Sequence, residues 1–293
     1  MSNTFQRALV VGANGQLARA LMTAAPDGVE CIGLTRADLD ITDEARVADA
    51  VAQSGADIVF NGAAYNLVDK AESEGAPDAL NINALGPARL ASACRTQGIP
   101  LVHFSTDFVF DGHKRTPYTE EDLAQPLGVY GASKLAGENI VLAASPHNWA
   151  IRVCRLFGPI PPDLQTQKPA GNFPLLMLKL ARERGGAKVV NDQIGTPTYT
   201  PDLAMAVWQL VLNSQGGLFQ LSNAGEVTFD EYARETLRLA GVPGEITPVS
   251  TAKYGAPARR PLYSTLSNDK AHAHGVTPLR DWREALEEFV RQL

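Results

Sequence analysis

The stretch Arg7-Ala8-Leu9-Val10-Val11-Gly12-Ala13-Asn14-Gly15-Gln16-Leu17-Ala18 decides the fold. Its first five residues form a short apolar run suited to a buried strand, and residues 16–25 read as a helix closed by Pro26. Gly12 and Gly15 let the backbone turn sharply between the two. The helix start then presents free N–H groups, which bind anions, and a pyrophosphate can approach them closely. Ala18 is small enough for the helix to pack on the strand. The spacing is GxxGxxA rather than GxGxxG, so the turn alone is a weak dinucleotide signal and depends on what surrounds it.

Outward from that turn the chain alternates. Residues 29–35, 57–61, 99–104 and 149–154 read as strands, and 43–53, 77–97 and 129–144 as helices. Strands spaced by helices indicate βαβ units and a parallel sheet covered on both faces. The expected class is therefore α/β, a Rossmann-type doubly wound parallel sheet. The pattern changes after Gly158, where Pro159-Ile160-Pro161-Pro162 opens a polar loop reaching Gly171. Helices are expected at 172–184, 201–213, 229–240 and 282–293, with short strands at 188–190 and 218–221. Thr228-Phe229-Asp230-Glu231 has capping-box spacing. Residues 1–158 form the expected dinucleotide-binding domain, completed by about 191–217, and 159–293 mainly a smaller C-terminal substrate-binding lobe.

Composition narrows the partners. Of 293 residues, 45% are apolar and 20% charged, which fits an ordinary globular chain. With 26 basic against 32 acidic residues the net charge is −6, leaving no basic footprint for nucleic acid or anionic lipid. No apolar run approaches the ~18 residues of a membrane span. Residues 1–7 enter the first strand without a leader-type apolar region, and Cys31, Cys94 and Cys154 form no CxxC pair. Buried free thiols in a reducing cytoplasm are expected, without a metal site.

Two residues past the second strand sharpen the cofactor reading. Where an acidic residue would bind an NAD ribose, about 20 residues past the turn, Arg36 stands, and a guanidinium suits the 2′-phosphate of NADPH. Asp40, beside Ile41, is placed for an adenine amino group and ring face, or for capping the following helix. Further on, Tyr130 and Lys134 stand at i and i+4 of a helix, on one face. A nearby ammonium favours phenolate and is expected to lower the tyrosine's pKa, so that it exchanges protons readily. In Leu101-Val102-His103-Phe104-Ser105-Thr106-Asp107 the polar pair Ser105-Thr106 falls at the carboxyl end of an apolar strand, the end that faces the ligand crevice. Thr106 thus offers a hydroxyl to the carbonyl that Tyr130 would protonate. His103 reads as a packed core histidine, and Asn83 as holding a water or a backbone kink behind Lys134.

These residues resemble the extended short-chain dehydrogenase/reductases, and within them the dTDP-4-dehydrorhamnose reductase family, almost end to end. The distinctive segments are Gly12–Leu17, Leu39–Asp43, Asn61–Tyr65, Val68–Glu72, Ser105–Gly112, Val129–Glu138, Asp192–Thr198 and Ala258–Pro261. The resemblance implies reduction of the C4 ketone of a nucleotide-linked 6-deoxy-4-ketosugar with NADPH, or with NADH. It assigns Gly12, Gly15, Gln16, Leu17, Asp40, Ile41, Ala63, Ala64, Tyr65, Tyr130 and Lys134 to cofactor, and Thr106, Tyr130 and Lys134 to catalysis. Substrate contacts fall on Thr106, Asp107, Arg155, Asn172, Arg259 and Arg260; Arg259 or Arg260 would pair with a diphosphate, the alternative being a surface basic pair.

The chain also departs from that family. Arg155 stands where an aromatic residue usually lies against the sugar, Asn66 replaces a threonine, and Phe108 replaces a tyrosine. Arg19 and Ala20 occupy the place of a metal-binding glutamate used at a dimer contact, so neither that metal nor that dimer is expected; a monomer or another homodimer fits. A dehydratase of the same superfamily needs an acid directly after Thr106-Asp107, where Phe108 stands. An epimerase lacks an evident second proton-transfer residue. A non-catalytic dinucleotide-binding regulatory subunit would have no use for the Thr106–Tyr130–Lys134 set.

Overall fold

The computed structural model describes residues 4–160 and 171–293; most of the expected interdomain loop therefore lies outside the described residues. The chain opens with β1 (Arg7–Val11), α1 (Gln16–Thr23), β2 (Glu30–Leu34), α2 (Glu44–Ser54) and β3 (Ile58–Asn61). There follow α3 (Ala76–Leu80), a π-helical turn (Asn81–Leu85), α4 (Gly86–Gln97), β4 (Leu101–Thr106), α5 (Val129–Ala144) and β5 (Trp149–Val153). The remainder comprises β6 (Leu156–Phe157), α6 (Phe173–Arg184), β7 (Gly186–Val190), β8 (Ile194–Gly195), β9 (Thr198–Tyr199) and α7 (Thr200–Asn213). Last come β10 (Gly217–Gln220), β11 (Val227–Thr228), α8 (Phe229–Leu239), β12 (Glu245–Val249), α9 (Thr251–Tyr254), α10 (Asp269–Ala273) and α11 (Trp282–Arg291).

Six strands form one sheet in the order β10-β5-β4-β3-β1-β2, every pairing parallel. This is a doubly wound Rossmann-type α/β sheet. Its strands are apolar nearly throughout because both faces are covered. On one face Phe60, Phe104 and Ile151 pack with Leu21 of α1 and Val207 and Trp208 of α7. The Trp208 indole donates to the Leu21 carbonyl at 2.9 Å, so its one polar atom is satisfied. On the other face Leu9, Val59 and Leu101 meet Val47 and Val51 of α2, Leu90 of α4 and Val141 of α5. The chain reverses direction across the sheet between β1 and β3, which opens a crevice at their carboxyl ends.

Downstream of β5, α7, β10 and α10 return to this sheet, and most other elements build separate apolar clusters. One centres on Phe157, Tyr199, Tyr232, Trp282 and Phe289; another joins α6, α8, β7 and β12 through Met177, Ala181, Val189, Leu237 and Ile246. The capping box at the start of α8 is present, with Thr228 and Glu231 satisfying each other's backbone N–H.

Two expectations on local structure need correction. The fourth strand runs to Thr106 rather than ending at Phe104, because parallel pairing with β5 continues through Thr106 and Val153. The long helix expected at 77–97 is interrupted by the π turn. There the Asn83 carboxamide binds the Tyr65 N–H (2.8 Å) and C=O (3.0 Å) and the Ser133 hydroxyl (3.1 Å). Asn83 thus ties the loop after β3 to α5; a π-bulge at a functional site is a common use of that geometry.

Candidate active site

The carboxyl ends of β1, β3, β4 and β5 surround a cavity of about 700 Å³, within the size range of small-ligand sites. Its floor begins at the glycine turn. Gly12 has φ +77°, and a Cβ there would stand 2.7 Å from the Ala63 nitrogen, so only glycine fits. Gly15 is extended and starts α1 with no side-chain cap and no acidic residue in the first turn. The helix N-terminus therefore keeps backbone donors for an anion, and Gly15, Gln16 and Leu17 line the cavity beside them. Arg36, Asp40, Ile41, Ala63 and Ala64 continue the same wall.

Asp40 is held by its own turn. One carboxylate oxygen accepts from the Thr42 N–H (2.9 Å) and hydroxyl (2.8 Å), and these bonds, with Arg36 nearby, keep its pKa below the usual carboxylate range. The other oxygen lies 3.6 Å from the Arg36 guanidinium, whose side chain is 81% exposed. Capping of α2 belongs to Asp43, which accepts from the Arg46 N–H. Asp40 is left to face the cavity.

The groups expected to react gather at the ends of β4 and α5. The first N–H of α5, that of Val129, is capped from a distance by the Glu72 carboxylate at 2.8 Å. A Cβ at Gly131 would meet the Phe108 carbonyl at 2.3 Å, so glycine there lets α5 approach the end of β4. Tyr130 packs edge-on against Phe108, with ring centroids 5.6 Å apart, and its hydroxyl donates to Asn66 Oδ1 at 3.3 Å. Burial pushes the phenol up to about 12, against the downward pull expected from Lys134. Desolvation of the phenolate outweighs a charge that is not in direct contact, and the tyrosine stays protonated, the state a proton donor requires. Lys134 is buried, donates from Nζ to the Phe104 carbonyl, and is brought down to about 8 by desolvation, with the Glu138 carboxylate pulling the other way.

Asp107 is nearly enclosed. It accepts from the Thr106 hydroxyl (3.1 Å) and the Cys154 thiol (3.2 Å), and burial raises its carboxyl above the usual range. Its contacts fix the Thr106 rotamer as much as they face the cavity. His103 is fully buried, with Nδ1 3.1 Å from the Asn61 amide, and burial and Lys134 hold it neutral, as a core histidine.

Arg155 lines the cavity but is already engaged. It is the one non-glycine residue with positive φ (+46°) among the described residues. Its guanidinium donates to the carbonyls of Val227 (2.8 Å) and Gln193 (2.9 Å) and lies 3.9 Å above the Phe229 ring. The other expected substrate contacts stand apart from the cavity lining. Asn172 caps α6 through Leu175 and donates to Gln16 Oε1 (2.9 Å) and the Gly158 carbonyl (2.8 Å). Arg260 forms a two-pronged pair with Asp69 at 2.9 and 3.0 Å, Arg259 is exposed, and the Tyr65 ring lies outside the lining. Sequence reasoning gave no role to Asn66, Phe108, Phe173 or Phe229, all of which line the cavity. For Phe229 a signal existed, its place directly after the capping-box threonine; an apolar residue at a helix start does not announce which side it faces.

Comparison with known proteins follows the same geometry. A family model described as the RmlD substrate binding domain matches residues 6–293. The chain is 40% identical over 290 residues to a dTDP-4-dehydrorhamnose reductase of Mycolicibacterium smegmatis, covering 97% of this chain and 85% of that one. It is 39% identical to a dTDP-4-keto-6-deoxy-D-glucose reductase of Streptomyces niveus, covering 96% and 95%. The crystal structure of a dTDP-4-dehydrorhamnose reductase from Bacillus anthracis in complex with NADP superposes with a TM-score of 0.92 at 33% identity, covering 99% and 100%.

Proposed function

The chain belongs to the dTDP-4-dehydrorhamnose reductase family, and on that premise we propose that it is an NADPH-preferring oxidoreductase acting on nucleotide sugars. Its substrate is a dTDP-linked 6-deoxy-4-ketosugar, with dTDP-4-dehydro-L-rhamnose the leading candidate and dTDP-L-rhamnose the product. The observation that carries this reading is the meeting of Thr106, Tyr130 and Lys134 on one cavity that begins at an uncapped helix N-terminus. NADPH supplies hydride to the C4 carbon when bound, and NADH would serve less well. Gly12, Gly15, Gln16 and Leu17 would hold its pyrophosphate, and Arg36, Asp40 and Ile41 its adenosine end. Thr106 and Tyr130 orient the ketone oxygen by hydrogen bonds, and Tyr130 gives it a proton. Lys134 supports that transfer as an ammonium and holds ribose hydroxyls. Three free cysteines and the absence, among the described residues, of a helix able to cross a membrane support placement in the cytoplasm.

The test is NADPH oxidation with dTDP-linked 4-ketosugars beside UDP- and GDP-linked ones. Turnover of a dTDP-linked sugar is expected; turnover of only the UDP- or GDP-linked sugars would overturn the rhamnose reading and leave the reductase chemistry standing.

Two further outcomes follow from the site. Arg36→Ala is expected to reduce the preference for NADPH over NADH by about tenfold, because the 2′-phosphate loses the exposed guanidinium beside Asp40 as its partner. Equal kcat/KM with both cofactors in the wild type would make Arg36 a bystander. The pH profile of kcat/KM, which reports the free enzyme, should be level through neutrality and fall above about 8. The sign follows from Lys134: its charged form exists below its pKa and is lost above it, whereas Tyr130, near 12, titrates later. Lys134→Arg should remove that alkaline limb if it retains turnover; a limb that stays near 8 assigns it to another group.

A further inference from the structure

The helix that carries Tyr130 begins without a cap of its own. Gly128, its N-cap residue, has no side chain, and the first turn of α5 holds no acidic residue. The first bond within the helix runs from the Ala132 N–H to the Gly128 carbonyl, so the N–H groups of residues 129–131 precede it. Donors at those positions need an acceptor from outside the helix. Val129 finds one in Glu72, whose Oε1 accepts at 2.8 Å from 57 residues away. A Cβ on Gly128 would stand 2.4 Å from the same oxygen. The carboxylate thus fills the space from which a local capping side chain would reach the helix. A negative charge there also complements the positive end of the helix dipole.

Glu72 is placed by the stretch that leads to it. Lys70, Ala71 and Glu72 form a short 3-10 turn. Just before it, Asp69 accepts from both Nη atoms of Arg260, at 3.0 and 2.9 Å, and from the Ala258 N–H at 3.2 Å. At the start of the stretch Asn66 Oδ1 accepts from the Tyr130 hydroxyl at 3.3 Å, and Asn83 holds the backbone of Tyr65. Residues 66–72 therefore meet the start of α5 twice, at the Tyr130 hydroxyl and at the N–H just before Tyr130. Between those contacts Asp69 pins them. We propose that Glu72 is a positioning residue for ketone reduction: its carboxylate, held by the Asp69–Arg260 pair, fixes the first turn of α5 and so the direction of the Tyr130 hydroxyl. The role in turnover rests on the reductase reading given above; the cap does not.

The cap should govern Tyr130 and spare Lys134. Tyr130 is the second residue of α5 and Lys134 the sixth. Loss of a cap frays the first turn and leaves the next, where Lys134 Nζ is held by the Phe104 carbonyl. Cofactor affinity should therefore survive while the proton donor loses its aim. A misplacement of about 1 Å at a reacting group can cost on the order of 10²-fold in rate. Arg260 takes a different role from the one expected of it. With both Nη atoms on Asp69, it anchors the loop rather than a diphosphate. Loss of an anchor shows in kcat, and loss of a diphosphate ligand shows in KM for the sugar nucleotide.

Backbone hydrogen exchange and steady-state kinetics test the cap and its role together. Glu72→Ala should speed exchange of the amides of residues 129–131 by about fivefold; unchanged exchange overturns the cap. The same variant should lower kcat about tenfold, with KM for NADPH and for the sugar nucleotide unchanged. Glu72→Gln keeps an acceptor oxygen and should retain about half or more of the wild-type kcat. Adding Gly128→Ser to Glu72→Ala puts a capping hydroxyl in the vacated space and should restore kcat to within about twofold of wild type. Gly128 is already extended, at φ −153° and ψ 176°, so serine fits its backbone. Arg260→Gln should lower kcat by about threefold. A raised KM for the sugar nucleotide with kcat intact would instead make Arg260 the partner of the diphosphate and overturn the anchor. Wild-type kcat in folded Glu72→Ala, or a loss that Gly128→Ser fails to restore, would overturn the positioning role while the reductase reading stands. If the wild type turns over no 4-ketosugar, that role falls with the reductase reading, and hydrogen exchange alone decides the cap.

Discussion

Tyr130→Phe is expected to lower turnover by about 10²–10⁴-fold while NADPH binds as it does to the wild type. The substitution removes one hydroxyl and keeps the ring that packs edge-on against Phe108. It therefore leaves the α5 contact with β4 in place and deletes the transferable proton. Thr106 can hydrogen-bond the ketone only by turning its one O–H away from Asp107, and that hydroxyl is a far weaker acid than a phenol. The expected signature is a loss in kcat and kcat/KM together, because proton donation is made only in the transition state. NADPH titration by fluorescence and steady-state oxidation assays separate the two effects. Near-normal kcat in Tyr130→Phe would remove Tyr130 from the role of acid.

Much of this site can be read from the sequence because its parts are local. The turn at Gly12–Leu17 lies between a strand and a helix that a dozen residues specify. Tyr130 and Lys134 share a helix face by spacing alone, and α5 falls on the expected residues, Val129–Ala144. What sequence reasoning could not supply is the balance of distant forces. Whether Lys134 or desolvation dominates the Tyr130 phenol depends on how the loop after β3 and the end of β4 close around it. Spacing at i and i+4 carries no information on that. Arg260 similarly looks like a free cation in Ala258-Arg259-Arg260-Pro261. Its partner Asp69 is 191 residues away and becomes visible only once the chain is folded. The two-residue strands β6, β8, β9 and β11 are too short to show any period, so they escape a reading based on hydrophobic alternation. The π turn escapes for another reason. It carries a carboxamide, Asn83, whose partners are a backbone 18 residues earlier and a serine 50 residues later.

Glu138→Ala should cost about 3–5 kcal/mol of folding stability, the range for leaving one half of a buried ion pair uncompensated. The Arg152 and Glu138 side chains are 4% and 1% exposed, and the guanidinium binds the carboxylate through two bonds of 2.6 and 3.0 Å. Removing the carboxylate strands a cation on β5 beneath α5, left with the Phe110 ring 4.9 Å away and a weaker attraction to the Glu120 carboxylate. Truncation also opens a cavity against the sheet. The reverse expectation holds for the pair as a whole. Replacing both partners, as in Glu138→Leu with Arg152→Met, should recover most of the loss, since a well-packed apolar pair avoids the desolvation of two charges. Urea denaturation of the wild type, the two single variants and the double variant closes the cycle, and the coupling between the sites is then measured directly. A Glu138→Ala variant within about 1 kcal/mol of wild type would show that water or a rearranged side chain satisfies Arg152 at this depth, since a stranded charge costs several times that.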